Sequence, residues 1–219
     1  MDGWPSASTS TPVTHSSDPS PTADTSVPGF AKLNTEVGRS RVTPAEFRRT
    51  LGQFPTGVTI VTARDPQTGG VHGMTANGFM SVSLHPPLVL VSIKRSAHMH
   101  QLLSEAGKYG VSFLTERLAS EAMQFAGAPP GRGGPAPGFD SQSGVPVLHD
   151  AMAWLVAEVV DAHIAGDHTL FIGQVFDLNA GDADQPPLGF FRAKFARVSP
   201  IDRDESVPLE AWSSLDAWG

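Results

Sequence analysis

The stretch His72-Gly73-Met74-Thr75-Ala76-Asn77-Gly78-Phe79-Met80-Ser81-Val82-Ser83-Leu84, followed by Pro86-Pro87-Leu88-Val89-Leu90-Val91-Ser92-Ile93, constrains this chain more than any other part of it. It reads as two adjoining β-segments with a polar, glycine-spaced entry. Val82, Leu84, Leu88 to Val91 and Ile93 are strand material for burial, while Thr75, Asn77, Ser81 and Ser83 set small polar groups among them. A strand that buries its apolar side chains gains nothing from so many hydroxyls and amides unless something polar lies against it.

The rest of the chain narrows the choice. At 219 residues one domain with a substantial core is expected. The net charge of −7 argues against nonspecific nucleic-acid binding, which needs a basic surface. The absence of cysteine excludes disulfides, thiol catalysis and thiolate-bound metals. No apolar run is long enough to span a bilayer, and the polar residues 1–28 offer no signal-peptide core, so no membrane association and a cytoplasmic location are expected. There is no Walker-type phosphate loop, no glycine fingerprint after a strand and no nucleophile elbow.

Residues 1–28 hold 7 Ser, 5 Thr and 5 Pro with almost no large apolar side chains, which reads as a disordered tail, with a lead-in to residue 42. Thr43-Pro44-Ala45-Glu46 is a capping box with proline at the first helical position, and Phe47, Leu51 and Phe54 recur on one helical face until Pro55. Gly57 to Arg64 reads as a strand turning through 65–70 into the segment above. Ser96 is expected to cap a helix bearing Met99, Leu102 and Leu103 and closed by Gly107. Tyr109 to Thr115 reads as a strand, and Thr115 as the cap of a short helix with Leu118, Ala122 and Phe125 on one side. Residues 128–146 read as a long Gly/Pro loop, and 152–163, 168–179 and 188–198 as three closing strands. About seven strands without βαβ alternation predict a mainly β fold, an antiparallel closed or nearly closed barrel with helical insertions. Residues 43–198 form the expected domain and 199–219 an acidic C-terminal tail.

The HGMTANGFMSVSL segment, together with Gly166-Asp167-His168-Thr169, resembles the short-chain NAD(P)H:flavin reductases, the reductase components of two-component flavin-dependent monooxygenases. The likeness spans roughly residues 43–198. It implies an antiparallel split β-barrel that dimerises, uses FAD or FMN with NADH or NADPH, and passes reduced flavin to a separate oxygenase. FAD and NADH are preferred, FAD because the segment is similar to the FAD-using subgroup. The alternative is a flavin-binding electron carrier or sensor that does not oxidise NAD(P)H.

The residues suit that chemistry in part by themselves. Backbone amides and an Asn side chain match the polar edge of an isoalloxazine ring, and small residues such as Ala76 and Gly78 let the backbone approach it. The resemblance assigns the flavin to Thr75, Ala76 and Asn77, continuing through Ser81, Val82 and Ser83; without it, an edge strand with satisfied polar groups reads equally well. Pro55, Thr56, Gly57 and Val58 form a helix-to-strand turn in which Thr56 and the Gly57 and Val58 amides are candidate donors to the ring or ribityl oxygens; Pro55 replaces an alanine common in the family and removes one donor, and without the resemblance a plain turn reads equally well. Ser92, Lys94, Arg95 and Ser96, with His98 following, match the family's flavin phosphate region, and also suit a capped surface helix with solvated charges. A metal at His98 and His100 is not expected without a third ligand. Gly166 and His168 match the place where the family sets a histidine beside flavin and nicotinamide, oriented here by Asp167; a plain hairpin turn has the same composition. Phe191 and Lys194 match a segment near the pyridine nucleotide, where Ala193 and Phe195 replace a frequent glycine and tyrosine. Hydride transfer depends on alignment more than on acid–base groups, so no triad is expected.

Overall fold

The computed structural model describes residues 41–127, 137–181 and 185–199. Val42 and the residues after it form one compact unit. The expected tails at 1–42 and 199–219 lie almost wholly outside the described residues, as does the 128–136 part of the predicted loop.

Helix α1 (Pro44–Leu51) begins as its sequence dictates. The Thr43 hydroxyl accepts from the Glu46 amide at 3.2 Å, and the Glu46 carboxylate accepts from the Thr43 amide at 2.9 Å. It ends at Gly52 rather than at Pro55. Its apolar spacing does not mark a core face: Phe47, Leu51 and Phe54 are 58%, 51% and 69% exposed. The single strand expected from Gly57 onward is two, β1 (Thr56–Gly57) and β2 (Thr59–Arg64), because Val58 turns its amide to Leu188 and its carbonyl to Leu114.

β3 (Val71–Ala76), β4 (Phe79–Ser83) and β5 (Leu88–Lys94) follow. Helix α2 (His98–Ala106) has Ala97 at its N-cap instead of Ser96, and no side chain caps it; Gly107 closes it in the left-handed conformation. β6 (Lys108–Phe113) leads to a 3-10 turn at Glu116–Leu118 and helix α3 (Ala119–Phe125); Thr115 stands before the turn without a side-chain capping bond. The predicted loop holds a hairpin, β7 (Phe139–Gln142) and β8 (Val145–Leu148). Its turn residues Ser143 and Gly144 both have positive φ, as a tight two-residue hairpin requires. Burial of Val145, Val147 and Leu148 anchors it. β9 (Ala153–Ala165) and β10 (His168–Asn179) are the long antiparallel pair expected. The last expected strand is a second hairpin, β11 (Leu188–Phe191) and β12 (Lys194–Arg197). Among the described residues there are therefore twelve strands rather than about seven.

Seven strands form one antiparallel sheet in the order β3-β2-β6-β9-β10-β5-β4. β3 and β4 are its two edges, yet only Asn77 and Gly78 separate them in the chain. A flat sheet would hold them about 29 Å apart, while the link from Ala76 to Phe79 spans at most about 11 Å. The sheet must curl until its edges meet, and no β3–β4 pairing joins them among the described residues. The result is the expected split antiparallel barrel. β2 is buried from Thr59 to Ala63, filled from both faces. The interior holds Val61, Val91, Ile93, Met99, Leu102, Leu103, Tyr109, Val111 and Phe171. A second cluster of Val58, Ile60, Leu114, Leu118, Leu148 and Leu188 lies under the small sheet β1-β11-β12. Among the described residues no helix is long and apolar enough to cross a membrane.

Two predictions follow from this frame. Ala193 holds φ of +59° in the β11–β12 turn, where an L side chain is strained; Ala193→Gly is expected to raise the unfolding free energy by about 1 kcal/mol in chemical denaturation. At the foot of β7–β8, the His149 Nδ1 lies 3.0 Å from Asp140. That hydrogen bond, then the charges of Asp140 and Asp150, raise the imidazole above its usual 6.5. The contact's contribution is therefore complete below pH 6.5 and disappears as pH rises through the elevated value. An NMR titration should find His149 above 6.5 in the native chain and back toward it in Asp140→Asn.

Candidate active site at the barrel seam

The Asn77-Gly78 link fixes where the site lies. β3 ends there and β4 begins there, while the antiparallel order brings the end of β5 and the start of β10 to the same end of the barrel. The Ser92 amide donates to the Gly78 carbonyl at 2.8 Å, and a side chain on Gly78 would press its Cβ to 3.2 Å from the Ser92 Cβ. Gly78 thus serves a close backbone approach.

Beside the seam opens a cleft of about 510 Å³, of ordinary size for a cofactor site. Its floor is a closed cycle of three backbone hydrogen bonds. Val58 N–H donates to the Leu188 carbonyl (3.1 Å), Leu188 N–H to Leu114 (2.8 Å), and Leu114 N–H to Val58 (3.2 Å). All three side chains are buried. The walls are Pro55, Thr56 and Gly57 on one side and Asn77, Phe79 and Phe113 on the other. A smaller cleft of about 230 Å³ shares Val58 and Asn77 with it and is lined by Thr75, Ala76, Phe190 and Phe195. The structure thereby brings together seven predicted residues, Pro55 to Val58 and Thr75 to Asn77.

The polar groups here divide into spent and unspent. The Thr75 hydroxyl donates to the Ala122 carbonyl of α3 at 2.7 Å, and Thr59 donates to the Ala76 carbonyl at 2.8 Å. These tie β3 in place. The Thr56 hydroxyl, in contrast, is buried with no hydrogen-bond partner. Among the described residues the Asn77 amide makes no hydrogen bond, and it is exposed at the rim. A Cβ built on Gly57 would meet nothing within 4 Å. An apolar slot with an unsatisfied hydroxyl, a free carboxamide and an open glycine backbone fits a flat heteroaromatic ring with one polar edge. Flavin is such a group, and the slot's apolar walls suit its faces.

The second predicted group lies at the ends of β5 and β10. Lys94 pairs in register with His168, and the Arg95 amide donates to the Asp167 carbonyl at 2.9 Å. Gly166 makes the turn with φ of +62°. His168 Nδ1 lies 2.8 Å from Asp167 Oδ1. This hydrogen bond first, then the charge on His168 and that of Lys94, holds the Asp167 carboxyl below its usual range. Asp167 is therefore ionised at neutral pH and steadies the ring through Nδ1, leaving Nε2 for a ligand. Lys94 stands about 7 Å along β5 from Ser92 at the seam.

Other predicted residues stand elsewhere. Ser81 and Val82 are exposed and Ser83 half-buried on edge strand β4; none lines either cleft. Ser96 is exposed. The His98 ring meets that of His72 on β3 edge-on at 4.8 Å. Phe191 and Lys194 face each other across the β11–β12 hairpin, behind the smaller cleft. Sequence reading missed Phe79, Phe113, Met152 and Pro187 as cleft residues. Phe79 and Phe113 lie on β4 and β6, Met152 and Pro187 just before β9 and β11, and no local pattern marks their convergence.

Comparison with known proteins agrees with this geometry. The family model for the flavin reductase like domain matches residues 51–199. An NADH-dependent flavin reductase of Rhodococcus sp is 44% identical over 167 residues, 75% of this chain and 92% of that one. The styrene monooxygenase flavin reductase from Pseudomonas putida S12 superposes with a TM-score of 0.63 at 39% identity, covering 71% of this chain and 98% of that one. The Streptomyces globisporus C-1027 NADH:FAD oxidoreductase SgcE6, in complex with NAD and FAD fragments, gives 0.66 at 33% identity over 75% and 99%. With its split barrel, its seam cleft and these relatives in agreement, this chain belongs to the flavin reductase-like domain family.

Proposed function

We propose that this flavin reductase takes its hydride from NADH, reduces FAD in the seam cleft, and releases reduced flavin to a separate oxygenase. The observation that carries the reading is the about 510 Å³ apolar cleft with the unpartnered Thr56 hydroxyl in its wall and the Asn77 amide at its rim. Flavin, when bound, supplies the hydride-accepting chemistry. The chain's own part is to bind and to align. Phe79, Phe113, Leu114 and Leu188 give apolar walls that exclude water. Thr56, Asn77 and the Gly57 backbone meet the polar edge. Lys94 and Arg95 supply positive charge at the same end of the barrel for phosphates, and His168, steadied by Asp167, offers Nε2 to the pyridine nucleotide or the flavin. Alignment is worth much of the barrier to hydride transfer, so the arrangement needs no proton-transfer triad.

The test is NADH consumption by the purified chain with FAD, FMN, riboflavin or no flavin. Flavin-dependent consumption, fastest with FAD, is expected; flavin binding with both NADH and NADPH left intact would overturn the reductase reading. In the same assay His168→Ala is expected to raise KM for NADH more than it lowers kcat, since the imidazole orients rather than transfers.

The same reading includes a homodimer. Met80 and Val82 of β4, and Leu84 just after it, expose apolar side chains at an unpaired edge of the seven-stranded sheet. An open apolar edge of this kind is an aggregation hazard unless covered, and a second copy covers it while closing the Ser81–Ser83 segment from solvent. Light scattering should give a dimer for the native chain and a monomer for Val82→Lys. A native monomer would remove the dimer from the reading and leave the chemistry standing.

A further inference from the structure

Helix α1 buries none of its residues, yet the turn it feeds, Phe54 to Gly57, forms one wall of the cleft. Little else secures that turn. β1 is only two residues long and pairs Thr56 with Phe190 and Gly57 with Gly189.

The described residues supply one further tie, and it comes from a strained position. Arg192, in the β11–β12 turn, has φ of +49°, where glycine is the residue at ease. Its side chain reaches back to the segment that follows α1. The guanidinium donates from Nε and Nη2 to the Gln53 Oε1 at 3.0 and 2.7 Å, and lies 4.9 Å over the Phe191 ring. Its backbone N–H donates to the Gly52 carbonyl at 2.9 Å. Gln53 in turn donates from Nε2 to the Arg49 carbonyl at 3.4 Å, so the amide oxygen faces the arginine. A strained arginine whose Nε, Nη2 and backbone N–H all reach Gly52 and Gln53 is a sign of a constraint held for use.

We propose that Arg192 and Gln53 form a clasp that positions the Pro55-Thr56-Gly57 wall and thereby sets flavin affinity. Neither residue lines a cleft, so both are positioning residues. The hairpin that bears Arg192 also carries Phe190 and Phe195, which line the smaller cleft. The clasp therefore fixes the spacing between the two clefts as well as the wall of one. This inference rests on the flavin reading above and adds to it the residues that hold the site's most weakly anchored wall.

The test uses the full chain and three variants. Gln53→Leu keeps bulk and removes the acceptor. Gln53→Glu keeps the acceptor and adds a charge. Arg192→Gly removes the guanidinium while relieving the positive φ, so it folds at least as well as the native chain. FAD affinity is read by flavin fluorescence titration, beside KM and kcat for flavin and the thermal midpoint. Gln53→Leu and Arg192→Gly are expected to weaken FAD binding and raise its KM about fivefold, with kcat at saturating flavin and the thermal midpoint of Arg192→Gly not reduced. Gln53→Glu is expected to recover native affinity. Native affinity in Arg192→Gly and Gln53→Leu, or a loss that follows the thermal midpoint alone, would overturn the clasp while leaving the flavin reading intact. A native chain that binds no FAD would remove both.

Discussion

Two residues joining opposite edges of a seven-stranded sheet are the constraint from which the rest of this structure follows. Asn77 and Gly78 have no length to spare, so the sheet curls, and the curl encloses the apolar residues of its inner face. Among the described residues β3 and β4 do not pair with each other, so a split remains beside the link. The requirement for Gly78 belongs to this economy: Ser92 sits against it, and any side chain there would press on the Ser92 Cβ. Barrel closure and the binding site are one feature seen from inside and outside.

The cleft floor is rigid for a related reason. Val58, Leu114 and Leu188 come from β-segments that diverge, and their backbone groups satisfy one another in a ring of three hydrogen bonds. Buried backbone groups left unpaired would each cost of the order of a hydrogen bond's desolvation, so the three segments are held at one point while their side chains seal the base. Below lies the second apolar cluster, which links the small sheet to α3 and to Leu148. A floor that does not move suits a reaction governed by the distance and tilt between two stacked rings. The walls are less uniformly held, and the one fed by α1 is the least buried.

What could be read from the sequence was what local chemistry determines. The capping box at Thr43, the αL glycine at 107, the β-branched run from Thr59 and the hairpin through Gly166 each carry their own signal and appear as expected. The failures have particular causes. Phe47, Leu51 and Phe54 recur at helical spacing, but α1 ends before Phe54, and periodicity reports amphipathicity and not what covers it. The β7–β8 hairpin was hidden in Gly/Pro-rich surroundings, although its strands bury three large aliphatic side chains. The β11–β12 turn carries Arg192 and Ala193 at positive φ, where the usual glycine or asparagine would have announced it. For the candidate site, the resemblance named segments that the fold brings together at the clefts, while the surroundings of individual side chains depended on neighbours distant in sequence. Thr75 is the plainest case, since its hydroxyl is committed to Ala122, 47 positions away.

That commitment suggests how the site's polar groups are best recognised. Strands in this barrel carry many small hydroxyls, and most serve the fold: Thr59 on the Ala76 carbonyl, Thr62 on Pro146, Thr75 on Ala122, and Ser112 accepting from the Leu148 amide. Satisfied in this way, they stabilise strand crossings and have little left to offer a ligand. Lack of a partner is not sufficient by itself. The Tyr109 hydroxyl has none either, but it is sealed in the barrel interior against Gly173, where burial pushes the phenol's pKa upward and keeps it neutral. Thr56 and Asn77 differ because each is uncommitted and also borders an open apolar cleft. Under the proposed function, the cost of leaving the Thr56 hydroxyl unpaired in the free chain would be regained when a polar ring edge arrives. On this argument the residues that recognise the ligand are those the barrel did not need for its own closure.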